Sequence, residues 1–228
     1  IESKKHLIYI LGTFAFFLFT IADTIIKLIG DFYKDTVIFS IASYSAIIPV
    51  CVYLLYRRSL DEIKTKNYKL HIIRGILMTL TYYFIVKGII LLPLSIAYPI
   101  ILSAPVLLSV LGILVLKESL YLSKIISLIL AMTAVFLVSG FSLSEGFNAQ
   151  GVLFLILGVV ALACLDFSVR VYGKNERTVA LTFYSMLFTG TFFFIFSINN
   201  FHNILLKDFL IMVSAGLLDG VAMMILIY

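Results

Sequence analysis

The chain runs to 228 residues, 62% hydrophobic and 13% charged, where soluble domains carry roughly 45–50% and about 25%. Its 17 Lys and Arg against 12 Asp and Glu give a net charge of +5, and its mean hydropathy is +1.14. These values exclude an ordinary soluble domain. They also exclude nucleic acid as a partner, because basic residues on so apolar a chain report membrane topology. Cys51 and Cys164 each fall within an apolar run, and His6, His71 and His202 stand at run ends. None has a ligand-like spacing, so no disulfide, metal or cofactor is expected.

A hydrocarbon core about 30 Å thick takes about 20 helical residues. Apolar runs of that length predict spanning helices over 7–29, 35–56, 70–91, 94–116, 121–141, 150–171, 178–198 and 208–228. The fold class is therefore all-α, a polytopic membrane helix bundle. The first run follows Lys4, Lys5 and His6 and continues towards Gly30 without a small-residue cleavage site, so it reads as a retained helix, with a signal peptide as the alternative. It carries Asp23 and Lys27, an i,i+4 pair. The connection from Arg57 to Lys69 is rich in charge and must lie in water.

The third run carries Thr79, Thr81, Tyr82 and Tyr83 at mid-height, with Lys87 further on. Hydroxyls and ring faces there suit a pocket for an amine, amino acid or nucleoside-like solute; packing is the alternative for any one Tyr. In the fourth run Pro105 lies near mid-helix, which leaves the carbonyl of Ile101 without its usual partner. Lipid tolerates that only where protein or a cavity satisfies the group. With Ser103 close by, the expectation is a bend facing a central cavity, against a harmless kink. Lys117 and Glu118 close this helix as an exposed cap or salt bridge. The sixth run carries Asp166 and Arg170, again i,i+4.

The eighth run begins at Asp208 and places Asp219 about 16 Å down its axis. A carboxyl at that depth is costly and marks function by default. Gly216 and Gly220 flank it at a spacing that allows close helix contact. Asp219 is thus either a proton or cationic-substrate site, or a structural Asp bonded to a neighbouring helix.

With the N-terminus cytoplasmic, 13 of the 17 Lys and Arg fall on the inner side, as the positive-inside rule requires. An internal repeat is also visible. Asp23, Lys27 and Gly30 recur 143 residues later as Asp166, Arg170 and Gly173; Thr36-Val37 recurs as Thr178-Val179, Tyr44-Ser45 as Tyr184-Ser185, and Gly75 as Gly216. The repeat unit is five helices. Five is odd, so the second copy enters the membrane from the opposite side, an inverted repeat with its solute site near the midplane. The expected domains are 1–141 (helices 1–5) and 150–228 (helices 6–8). Eight of ten expected helices are present, with two more expected beyond Tyr228, and the chain, which starts at Ile1, reads as a fragment. Asp23 with Lys27 and Lys87 at the outer mouth, and Asp166 with Arg170 at the inner, are candidate gate latches; local neutralisation with snorkelling is the alternative.

Arg74-Gly75, the stretch Pro93-Leu94-Ser95-Ile96-Ala97-Tyr98-Pro99, Ser103-Ala104-Pro105-Val106 and Leu116-Lys117-Glu118-Ser119-Leu120 resemble the core of the EamA family of the drug/metabolite transporter superfamily. The resemblance implies ten helices in two inverted repeats and transport of small metabolites. It also implies a structural value for Glu118. Helix 2 departs from it, reading Ile41-Ala42-Ser43 where many relatives carry an Arg. Leu165-Asp166, Glu176 and Phe183-Tyr184-Ser185 resemble the S-adenosylmethionine uptake subgroup of intracellular bacteria. The expected function is a secondary active transporter in the bacterial inner membrane, with a small organic solute and protons as coupling ion; the oligomeric state is left open. The alternative is a channel or receptor-like scaffold. No His lies at membrane depth to activate Ser142, so an enzyme is not expected.

Overall fold

A computed structural model describes residues 2–118, 125–126, 129–130, 133, 148–173, 176–201 and 204–227. Among the described residues there is no strand, and seven helices are long and apolar enough to cross a membrane. The expected span over 121–141 lies outside the described residues, except for 125–126, 129–130 and 133, which are helical. In chain order come α1 (Glu2–Ile29), α2 (Asp35–Arg57), a 3-10 turn (Leu60–Ile63), α3 (Tyr68–Leu91), α4 (Leu94–Ile101), α5 (Ala104–Leu116), α6 (Ala149–Tyr172), α7 (Thr178–Ser197) and α8 (Leu206–Ile227).

Helix ends have local causes. α2 and α5 both stop at a basic residue in the left-handed conformation, Arg58 at φ 50° and Lys117 at φ 54°. The amides there and one residue on return to carbonyls of the last turn: Arg58 N to Leu55 O, Ser59 N to Leu54 O, Lys117 N to Ile113 O and Glu118 N to Gly112 O. This is the αL-type stop usually made by Gly. α6 starts under Asn148, whose side chain accepts from the Gly151 amide at 3.0 Å.

Within the span over 94–116 the helix is interrupted where the sequence predicts a bend. α4 ends at Ile101, Leu102 and Ser103 form a turn, and Pro105 sits in the first turn of α5. There its missing N–H costs nothing, since first-turn amides have no intrahelical partner.

The residues group into two compact units, Ile1–Thr79 with Asn175–Tyr228, and Leu80–Lys174. In the first, α2 packs against both α7 and α8, and α1 against α8. The α2–α7 pair is antiparallel: Phe39 meets Phe193 at 4.8 Å between ring centres, and Tyr44 donates to Thr191 at 3.1 Å. The α2–α8 pair is parallel, with Gly216 against Ala42 and Gly220 against Ala46. The α1–α8 pair is antiparallel, burying Ala15, Leu18 and Ala222 with Phe19, Leu218 and Ile225. The first half of α3 runs parallel to α7, with Gly75 against Phe188 and the Thr79 hydroxyl 3.2 Å from that of Thr189.

In the second unit the latter half of α3 lies antiparallel to α6. Ile85 meets Gly158, and Leu92 meets Gly151. Ile89, Leu92, Ala97 and Leu155 form the core, and α4 and α5 pack on α6. Small residues stand at the contacts in both units because lipid gives helices no hydrophobic reason to associate; van der Waals fit must hold them.

Candidate functional site

Asp219 is buried at 5% exposure in the first unit. Gly216 and Gly220 hold this stretch of α8 against the α2 backbone. A Cβ on Gly216 would sit 2.7 Å from Ser45 Cβ, and one on Gly220 2.9 Å from Ala46 Cα. The depth of Asp219 is therefore set by backbone contact, which side-chain rotation cannot change. The same unit buries a run of hydroxyls on α2 (Ser40, Ser43, Ser45) and α7 (Thr182, Ser185, Thr189). Ser45 donates to the Ile41 carbonyl at 2.7 Å. The Ser43 and Ser185 hydroxyls are buried and have no partner among the described residues.

A second feature of this unit is a cleft of about 550 Å³ between the end of α2, the 3-10 turn and the start of α7. Tyr53, Arg57, Glu62, Glu176, Arg177 and Thr182 supply its polar wall. Behind it, His71 Nε2 lies 3.0 Å from Thr65 Oγ1 and 3.3 Å from Glu176 Oε2, both within hydrogen-bond distance, while its ring lies 4.6 Å from that of Tyr184. Nδ1 is buried without a partner among the described residues. The His71 and Glu176 side chains are 6% and 8% exposed. Further out, Arg177 pairs with Glu62 at 3.5 Å. Beside the cleft an exposed pair joins Lys64 to Asp61. A hydrogen bond from Lys64 holds the Asp61 carboxyl below the usual range, and the same bond raises Lys64.

At the opposite end of this unit Tyr33 donates to Asp208 Oδ2 at 2.6 Å and accepts from the Leu205 amide at 3.4 Å. The bond to Asp208 holds the phenol's proton and raises its pKa.

The remaining sequence-derived candidates divide between the units. Asp23 and Lys27 lie half-buried on α1 and Thr79 is buried, all in the first unit. The Thr79 hydroxyl donates to the Gly75 carbonyl at 2.8 Å. Tyr82, Tyr83, Lys87, Ser103, Pro105, Asp166 and Arg170 belong to the second. Tyr83 meets Phe84 and Phe154 edge-on at 5.3 and 6.4 Å, so one side of it packs in an aromatic cluster. Ser103 donates at 2.6 Å to the carbonyl of Ile100, within the turn between α4 and α5. Arg170 lies 3.7 Å from Glu118, and Glu118 in turn lies over Gly112.

Sequence reasoning missed three of these meetings: His71 with Glu176, Arg177 with Glu62, and Arg170 with Glu118. The available signal was slight, an ionisable residue in the first turns of α3 and a Glu-Arg dipeptide just before α7. The close helix contact expected at Gly216 and Gly220 is present. Among the described residues no group of His, Cys, Asp or Glu has the makings of a metal site.

A family model described as the EamA-like transporter family matches residues 6–140, more than half of the chain. No curated protein and no solved structure matches it.

Proposed function

This chain belongs to the EamA-like transporter family, and on that premise we propose that it is a secondary active transporter working by alternating access. The family is one of membrane transporters of the drug/metabolite type, and the seven apolar helices make this chain a multi-pass membrane protein. The proposed cargo is a small organic solute: an amino acid, an amine or an S-adenosylmethionine-like molecule. The proposed setting is the bacterial inner membrane with the N-terminus cytoplasmic, and the proposed coupling ion is the proton.

The observation that carries this reading is mirrored helix pairing. Exchange of the two sequence halves swaps α1 with α6, α2 with α7 and α3 with α8. Under that exchange the antiparallel α1–α8 pair corresponds to the antiparallel α3–α6 pair. The parallel α2–α8 pair corresponds to the parallel α3–α7 pair, with the repeat mates Gly216 and Gly75 each at a contact. The antiparallel α2–α7 pair is its own mirror. Such pairings support two repeats threaded in opposite senses, which is the arrangement that alternating access uses.

Within this reading Asp219 carries the coupling proton, because it is a buried carboxyl within an apolar spanning helix, flanked by the close approach of α8 to α2. Asp23, Lys27 and Lys87 serve the outer mouth. Asp166 and Arg170 serve the inner one, where the Arg170–Glu118 contact supplies a latch that can break and reform. Tyr82, Tyr83, Thr79, Ser103 and Pro105 remain the proposed solute-binding set.

The test is saturable counterflow in proteoliposomes, with and without a pH gradient, across amino acids, amines and S-adenosylmethionine. Saturable counterflow is expected, with gradient-driven uptake lost in Asp219→Asn. Conductance far above carrier rates would assign a channel. Unchanged gradient-driven uptake in D219N would remove Asp219 from coupling.

A further inference from the structure

The cleft beside α7 has a charge layout of its own. Its acids lie deep and its bases lie at the rim. The Glu176 side chain is 8% exposed and that of Glu62 21%, whereas that of Arg177 is 61% exposed and Arg57 is exposed. Two carboxylates against two guanidiniums leave the wall near neutral, but separated by depth. His71 holds Glu176 from behind through Oε2, and Oε1 has no partner among the described residues. Arg57 makes no hydrogen bond or ion pair among the described residues, and Arg177 uses one nitrogen on Glu62, leaving the rest of its fork open. The rim also includes the first turn of α7, whose amides have no intrahelical partner and whose Arg177 cap supplies no side-chain bond.

We propose that this cleft is a solute-binding vestibule for a zwitterion of the amino-acid class, with its ammonium directed inward to Glu176 and its carboxylate held at the rim by Arg57, Arg177 and the α7 amides. Its role as a stage in transport rests on the transporter reading above; its binding chemistry does not. A simple amine satisfies the floor but meets two guanidiniums at the mouth. A simple acid satisfies the rim but meets two carboxylates below. Only a molecule carrying both charges at short separation matches both ends. A volume of about 550 Å³ lies within the roughly 300–1,000 Å³ of small-molecule sites, so an amino acid fits with its side chain against Tyr53. Under the N-in orientation the cleft opens to the cytoplasm.

The test uses the full chain in proteoliposomes, with Val179→Cys at the cleft wall in a Cys51→Ser, Cys164→Ser background. The rate of maleimide labelling at that position is read against three probes: a mixture of the standard amino acids, the amines left by their decarboxylation, and the acids left by their deamination. The amino acids alone are expected to slow labelling. Arg57→Gln and Glu176→Gln are each expected to raise the half-protecting concentration about tenfold or more, the worth of a hydrogen bond to a charged group. Arg57 is exposed, so R57Q keeps the test valid should E176Q fold poorly. Equal protection by amines or acids, no protection by any mixture, or full protection in both variants would each overturn the proposal. Counterflow measured on the same vesicles separates the two claims. Counterflow without protection refutes the vestibule alone, and protection without counterflow refutes the transporter reading alone.

Discussion

The contact between α8 and α2 makes the sharpest prediction. Gly216 has room for no side chain: an added Cβ would lie 2.7 Å from Ser45 Cβ and 2.8 Å from the carbonyl carbon of Ala42. Carbon atoms prefer about 3.5–4.0 Å, so Gly216→Ala must part the helices by roughly 1 Å or distort one of them. The Ala42 atoms are backbone and cannot rotate away. Overpacking of this kind costs about 1–3 kcal/mol. Replacing a mid-helix Gly by Ala returns about 0.5–1 kcal/mol, so the net loss should be about 0–2.5 kcal/mol, centred near 1. Gly12 on α1 is the control, because a Cβ there meets nothing within 4 Å; Gly12→Ala should be neutral or slightly stabilising. The assay is reversible unfolding in mixed micelles with increasing SDS, followed by circular dichroism. If G216A and G12A shift the midpoint alike, α8 does not seat on the α2 backbone, and the placement of Asp219 loses its support.

Further predictions concern the ends of the bundle. Tyr33→Phe should remove one pH-dependent contribution to stability. The Tyr33 phenol holds its proton more tightly when folded. Its contribution is therefore complete below about pH 10 and lost as pH rises through the higher folded value. Wild type should lose stability over that alkaline range more steeply than Y33F; parallel curves would refute the Tyr33–Asp208 bond. A double-mutant cycle of Glu118→Gln and Arg170→Gln should give a coupling of about 0.2–1 kcal/mol, because both side chains are more than a third exposed. The coupling should shrink with added salt, and a value independent of salt would argue against a part-solvated ion pair.

Much of the fold was legible from composition and run length. The contact at Gly216 and Gly220 around Asp219 was legible too, because a lone carboxyl in a leucine-rich helix is costly unless close packing or function holds it there. The break at Ser103 reads from the sequence as a bend: Pro105 signals a lost amide bond whether the helix continues or restarts, and only the turn at Leu102 and Ser103 decides between them. Tyr83 looks like a pocket residue because its chemistry allows it, while the rings of Phe84 and Phe154 beside it come from packing.

What the residues determined unaided is the solvent and the secondary structure. A chain this apolar enters lipid, and lipid demands that every backbone group be satisfied within its own helix or a closed barrel. What the tertiary structure alone decided is which polar groups meet. Glu176 finds His71 across 105 positions and Glu118 finds Arg170, because rotation and register between packed helices bring them together. Runs of Leu, Ile and Phe pack in many registers with nearly equal ease, so those meetings are set by where small residues let two backbones touch.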